Sequence, residues 1–445
     1  MFVNRISELS SLEAEYAGET SSFSVIYGRR RVGKTALISE FIKEKPHIYL
    51  YITLSDLESQ LEAFTDEIRR FVDERIREHL RFESFEKAIA FLATLKMERK
   101  LVFVIDEYQY LAQKDRAFSS KLQKLWDMDL AGANIHLILC GSVLSMMHSE
   151  VLNYDAPLYG RRTSQLHIKP IRFHHIKAFL LNLSKLDQMH VYSSFGTIPK
   201  YLNEYDQNLT FMENIEKKIL NKNSYLYSEG NFLLKEEISE PASFFSILRS
   251  ISMGNRKIGH IASSLGVNSS YLSKYMQKLI NLDIIEKQIP VTETNPLKSK
   301  FGQYRIKDRF LNFWFYYVYK NYNTLELGQT RHVLDEIAMN FNDRFVSFAF
   351  EDYLLEDLWQ TPEQYLDFIP VKAGRWWNNK EEIDIVAFDR ENIAFIECKW
   401  QNRVDKAQVR ERLIQKAKAL AGDKKATYLV ITKDDYLGEA QRGCN

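Results

Sequence analysis

The chain has 445 residues, of which 45% are hydrophobic, 13% aromatic and 27% charged, enough apolar surface for several cores. Disordered, collagen-like and low-complexity classes are thereby excluded, and about 150 residues per domain predicts roughly three domains. Lys and Arg (60) balance Asp and Glu (59) to a net charge of +1, so any attraction to nucleic acid must come from a local patch.

The first residues contain no apolar signal stretch. Ser22–Tyr27 (SFSVIY) is a short β-rich run leading into Gly28-Arg29-Arg30-Arg31-Val32-Gly33-Lys34-Thr35-Ala36 and then a helical pattern. This is G-x-x-x-x-G-K-T with the strand before and helix after that the motif requires. Gly28 and Gly33 permit the tight turn that aims backbone N–H groups of residues 28–36 at phosphate oxygens. Lys34 supplies positive charge to the β- and γ-phosphates, and Thr35 offers its hydroxyl to Mg²⁺.

A continuous apolar run over 100–105 predicts a strand buried on both faces, ending in Asp106-Glu107. Asp106 is expected to hold Mg²⁺ and Glu107 to polarise the attacking water as a general base. A third strand over 135–140 ends in Gly141-Ser142, which sets Ser142 up to contact a γ-phosphate. Farther along, Tyr159-Gly160-Arg161-Arg162 pairs two arginines after a loop. Either is a candidate to stabilise transferred charge, in cis or from a neighbouring subunit.

Taken together, the order of segments resembles one family. Phe2-Val3-Asn4-Arg5 with Glu8-Leu9, YGRRRVGKT, VFVIDEYQYL, LILCGS, YGRRT and Phe195-Gly196-Thr197-Ile198-Pro199-Lys200-Tyr201-Leu202 follow one another. This pattern is similar to the archaeal-type ATPases of the STAND branch of AAA+-related P-loop NTPases. The resemblance implies ATP as the nucleotide, a five-stranded parallel core over 1–165 and a helical lid over 166–235. No guanine-specific N-K-x-D sequence is present.

Residues 236–325 read as a winged helix-turn-helix. Ile258, Ile261, Ala262 and Leu265 keep helical spacing until Gly266-Val267-Asn268, and Ser269 is placed to cap a helix with Leu272, Met276, Leu279 and Ile280 on one face. Two β-like runs, 284–291 and 301–306, then flank a turn as a wing. Between Arg249 and Arg309 there are 11 Lys/Arg against 4 Asp/Glu, a local net charge of +7. Tyr271, Ser273, Lys274 and Gln277 on the outward face suit phosphates and base edges, so DNA is the expected partner. A rigid coupler or protein-docking face remains the alternative, and a second copy of the chain is compatible with either. The aromatic stripe after the wing, Tyr304 to Trp314, matches a Y-x-I-x-D-x-x-L-x-F-W signature of the same family and is expected to be core packing.

The last segment, 326–445, carries two strand-like runs, 383–388 and 393–400, around Asp389-Arg390-Glu391-Asn392. Opposing residues 389 and 392 places Asp384 opposite Glu397, with Lys399 on the same face. Two opposed carboxylates in an apolar setting require a cation. Asp384, Glu397 and the carbonyl of Cys398 are candidate Mg²⁺ ligands, Lys399 would orient the attacking water, and Glu351 in the helical pattern 345–358 is a further candidate ligand. The D-x(n)-E-x-K pattern resembles the PD-(D/E)XK nucleases, with Ile383 where that superfamily often has proline.

Cys140, Cys398 and Cys444 are too few and too scattered for a disulfide framework or zinc ribbon, which predicts a reducing, cytoplasmic setting. The longest apolar run, 310–319, reaches about half of the roughly 20 residues of a membrane helix, so no membrane partner is expected. The expected fold is thus multidomain α/β. The expected function is an ATP- and Mg²⁺-dependent ATPase acting on DNA, with a nuclease-like end domain. The rival is a regulatory ATPase whose end domain only recognises a partner.

Overall fold

The computed structural model describes residues 3–238 and 241–438. Phe2 of the N-terminal box and Cys444 lie outside the described residues. The chain forms two compact bodies, one of Met1–Ile171 with Ile198–Lys200, the other of Arg172–Thr197 with Tyr201–Asn445.

In the first body five parallel strands pair in the order β2-β3-β4-β1-β5, as the resemblance implies. They are β1 (Ser22–Tyr27), β2 (His47–Tyr51), β3 (Leu101–Asp106), β4 (Ile135–Gly141) and β5 (Ser164–His167). Residues alternate across the pleat into two cores. Phe103 and Ile105 join Phe23, Val25 and Leu137 on one side, while Val102 and Val104 join Ile26, Ile138 and Cys140 on the other. Helix Lys34–Ile42 lays Leu37, Ile38 and Phe41 on the second core, which fixes the loop before it to the carboxyl end of β1. Strand β3 begins at Leu101 instead of Lys100, whose ammonium leaves the ladder to bond the carbonyls of Glu15 at 3.1 Å and Thr20 at 2.7 Å. Because β4 lies between β1 and β3, Ser142 just past its end falls between the loop and Asp106-Glu107.

The second body opens with helices that include Lys185–Ser194 and Tyr225–Glu237. Helices Pro241–Ser252, Ile258–Leu265 and Ser269–Asn281 follow, then an antiparallel pair, β6 (Ile285–Gln288) and β7 (Gln303–Ile306). Gly266, at φ 68°, closes Ile258–Leu265 in the left-handed region. The expected capping by Ser269 is replaced: Asn268 is the cap residue, and no side-chain cap bond forms. Strand β6 stops short of 291 because Pro290 has no N–H to give the ladder. The aromatic stripe is core, with Phe310, Phe313 and Trp314 fully buried and the Trp314 Nε1–H donating to the Tyr227 carbonyl at 2.7 Å.

A second sheet, in the order β11-β10-β9-β8, completes this body from β8 (Lys372–Trp377), β9 (Glu382–Phe388), β10 (Asn392–Lys399) and β11 (Lys425–Thr432). Helix Lys406–Ala421 covers it, packing Leu413 and Ala417 on Val386, Ile393 and Phe395. Helix Ser347–Gln360 carries Glu351. Among the described residues no helix is long and apolar enough to cross a membrane.

Candidate functional site

The glycine-rich loop is shaped by its neighbours. Gly28 sits at φ 151°, and a Cβ there would lie 2.3 Å from the carbonyl oxygen of Ile168. Gly33, at φ 98°, faces open space, which leaves room for a ligand against the backbone. Arg5 braces the turn from outside, donating to the Val32 carbonyl at 3.0 Å and to Lys169 at 2.7 Å while paired to Glu8 at 3.0 Å. Val32 itself is buried in the core, whereas Thr35 and Ala36 are exposed at the start of the helix.

The Lys34 ammonium lies inside the loop, donating to the carbonyls of Gly28 at 2.8 Å and Arg29 at 3.0 Å. Burial pushes its pKa down. The Thr35 hydroxyl donates to Asp106 Oδ2 at 3.1 Å, so the two expected Mg²⁺ ligands are already side by side. Tyr49 donates to the same oxygen at 2.5 Å, and burial together with the Asp106 charge pushes its phenol well above its usual range. The sequence carried no signal for Tyr49, which reaches Asp106 only because β2 and β3 pair in register.

Directly after Asp106, Glu107 takes φ 56°, a strained conformation for a side-chain-bearing residue. Its carboxylate accepts the Ser142 hydroxyl at 2.7 Å and the Gln109 amide. Ser142 is buried and aimed at Glu107, so any reach toward a phosphate passes through that carboxylate. Arg30 donates to the Tyr110 hydroxyl, and Arg31 adopts φ 70° in the turn. Arg161 pairs with Asp127 at 3.0 Å, and Arg162 donates to the Val151 carbonyl at 2.8 Å while stacked on Tyr159. Both arginines are thus held by local partners.

In the second sheet, β9 and β10 pair from Phe388↔Ile393 to Ile385↔Ile396, the register expected from the turn. Beyond the last pair, Asp384 Oδ2 accepts the Cys398 N–H at 2.8 Å. Lys399 Nζ lies 3.0 Å from Glu397 Oε1 and 3.9 Å from Asp384 Oδ2. Lys416, which sequence reasoning missed, adds a second ammonium at 3.2 Å from Glu397. Burial, then the charges of Glu351 and Glu397, push the Asp384 carboxyl up to about 7. Glu397 Oε2 is buried without a hydrogen-bond partner, an orphaned acceptor that suits a cation.

Glu351, the further candidate ligand, lines the same small space as Asp384 and its charge acts on that carboxyl. Its carboxylate is ion-paired to Arg375, which also bonds Asp352 at 3.0 Å. Among the described residues no three His, Cys, Asp or Glu side chains cluster as a metal site. Asp384, Glu397 and the Cys398 carbonyl would supply oxygen donors to a Mg²⁺ that keeps most of its water.

A family profile described as "ATPase domain predominantly from Archaea" matches residues 2–205, and one described as "Archaea bacterial proteins of unknown function" matches 314–412. An uncharacterized protein of Methanocaldococcus jannaschii is 34% identical over 436 residues, 97% of this chain and 95% of that protein. An uncharacterized ATP-binding protein of the same organism is 49% identical over 45 residues, 10% of this chain and 76% of that protein. The Walker-type ATPase of Pyrococcus abyssi shares the fold at TM-score 0.53 and 19% identity, over 71% of this chain and 96% of that structure.

Proposed function

We propose that this chain, which belongs to the family of predominantly archaeal ATPases, binds and hydrolyses ATP and applies the cycle to DNA held by its second body. The observation that carries the ATPase reading is the Thr35–Asp106 hydrogen bond beside the buried Lys34. Three side chains from a loop and a distant strand end meet where a triphosphate and its cation need them. Lys34, now bonded to loop carbonyls, would exchange these for phosphate oxygens. Glu107, oriented by Ser142 and Gln109, would take the proton of the attacking water. Bound Mg²⁺ would neutralise developing charge on the phosphoryl oxygens.

DNA engagement is supported by the +7 segment and by helix Ser269–Asn281, on which Lys274 lies 4.9 Å from the Tyr275 ring and Tyr271 is exposed. Strand cleavage is supported by Asp384, Glu397 and Lys399 lying together with one orphaned carboxylate oxygen. In that reading Lys399 orients the water, and Asp384 and Glu397 hold the cation. A regulatory ATPase is favoured by the Glu351–Arg375 ion pair and the two ammoniums already on Glu397.

The test incubates purified protein with supercoiled plasmid, Mg²⁺ or Mn²⁺, with and without ATP, alongside Lys34→Ala and Asp384→Asn. ATP turnover lost in Lys34→Ala supports the first centre. Cleavage lost in Asp384→Asn supports the second. Turnover without cleavage selects the regulatory reading.

A further inference from the structure

A cavity of about 410 Å³ in the second body lies among the β6–β7 hairpin, helix Ser347–Gln360 and β8. Its lining includes Arg256, Arg305, Lys307, Arg309, Arg344 and Arg375 but, among the described residues, only two carboxylates, Asp352 and Glu382. Four of the cations are spoken for. Arg305 and Arg309 pair with Asp352, Arg375 with Glu351 and Asp352, and Lys307 with Asp283. Arg256 and Arg344 have no ion pair among the described residues. Each instead stacks on a ring, Arg256 over Phe348 at 4.4 Å and Arg344 over Tyr316 at 4.2 Å, and Arg344 also donates to the Ser252 carbonyl at 2.9 Å.

A half-buried guanidinium with no carboxylate in ion-pair contact among the described residues is costly, and stacking on a ring leaves its in-plane N–H edge free for a bidentate acceptor. Burial, then repulsion from Arg375, lowers the Arg256 pKa against the attraction of the Glu351 and Glu382 carboxylates. Arg256 also lines a smaller adjoining space, with Phe348, Arg375 and the carboxylates Glu351 and Glu382, that reaches Asp384. An anion bound at Arg256 therefore sits next to the carboxylate centre.

We propose that this cavity is a phosphodiester-binding pocket in which Arg256, with Arg344, grips a backbone phosphate of a single nucleic-acid strand beside Asp384. The proposal rests on the reading of a nucleic-acid partner but not on cleavage. The volume accommodates about one nucleotide, and the two stacked guanidiniums supply charge-assisted hydrogen bonds to its phosphate.

The experiment measures binding of a fluorescent 12-residue oligothymidylate to the full chain by anisotropy. It uses a Lys34→Ala background without ATP or divalent cation, so that neither hydrolysis nor cleavage enters. Arg256→Gln is expected to weaken binding about tenfold or more. It should also lower the slope of log affinity against log salt by about 0.7, the loss of one single-strand phosphate contact. Arg256→Lys should restore the slope but not the affinity, and Lys418→Ala, at an exposed position of helix Lys406–Ala421 outside the cavity lining, should change neither. Unchanged affinity and slope in a folded Arg256→Gln protein would overturn the proposal. So would thymidine monophosphate competing as well as the oligomer, since the pocket would then take a free nucleotide. Persistent Arg256-dependent binding in a protein that never cuts plasmid would sustain the pocket while removing the nuclease reading.

Discussion

The Thr35 hydroxyl and Asp106 Oδ2 are 3.1 Å apart although 71 positions separate them in the chain. The contact exists because helix Lys34–Ile42 starts at the end of β1 and β3 ends level with it in the parallel sheet. Removing either partner should therefore damage cation-dependent chemistry more than folding. Thr35→Ala and Asp106→Asn are expected to lower ATP turnover by about 100-fold or more, on the scale of one lost electrostatic stabiliser. Thermal unfolding should move little for Thr35→Ala, which is exposed. Turnover assayed across Mg²⁺ concentration checks this, and normal turnover in both variants would contradict it.

Ser142 touches Glu107 and so separates orientation from chemistry. Glu107→Gln should abolish most turnover, by roughly 10²- to 10⁴-fold, while nucleotide binding survives. Ser142→Ala should give a smaller fall in kcat, about tenfold, because Gln109 still holds the carboxylate. Equal losses in the two variants would indicate that Ser142 acts on the nucleotide itself.

Gly28 and Gly33 should respond differently to alanine. The Gly28 methyl meets backbone at 2.3 Å, so Gly28→Ala must displace the loop from β5's continuation and is expected to lose nucleotide binding together with thermal stability. At Gly33 there is space but a φ of 98°, so strain of about 1 kcal/mol or more falls on the loop alone. Nucleotide affinity and the unfolding midpoint, measured on both, distinguish the two mechanisms.

His136 on β4 is fully buried, its Nε2 2.8 Å from the hydroxyl of Ser24 on β1. Burial, reinforced by Lys100 and Lys45, pushes its pKa from 6.5 down to about 3. The unfolded chain then binds more protons than the folded one inside that window, so stability present above pH 6.5 is lost as pH falls toward 3. The slope from this one residue is at most about 1.4 kcal/mol per pH unit. His136→Leu should flatten the unfolding free energy between those limits, and an unchanged slope would mean that other groups dominate.

Asp352 accepts three guanidiniums, Arg305, Arg309 and Arg375, which outweigh its burial and hold its carboxyl far below the usual range. Asp352→Asn should cost up to about 3–5 kcal/mol by leaving Arg309 without a carboxylate, while Arg305 keeps Glu286 and Arg375 keeps Glu351. Denaturant unfolding of the full chain measures it, and a loss under 1 kcal/mol would show that those arginines reach solvent instead.

Local signals carried much of this protein. Gly28, Gly33, Lys34 and Thr35 are legible because phosphate binding needs a turn, a charge and a hydroxyl at fixed spacing. The two-sided burial of β3 follows from an uninterrupted apolar run, and the β9–β10 register follows from the turn at 389–392. Three strands of the ATPase body, β1, β3 and β4, were readable because they are short, apolar and ended by chemistry-bearing residues, whereas the five-stranded sheet was implied only by the family resemblance. What only tertiary structure decided are contacts between segments far apart in sequence. Tyr49 reached Asp106, Lys416 reached Glu397, Arg5 reached the loop, and Glu351 was captured by Arg375. Arg256 and Arg344 share one cavity, each stacked on a ring and without an ion pair among the described residues, for the same reason. Spacing along a chain fixes which residues share a face, but the partner of a long charged side chain is set by which elements pack beside it.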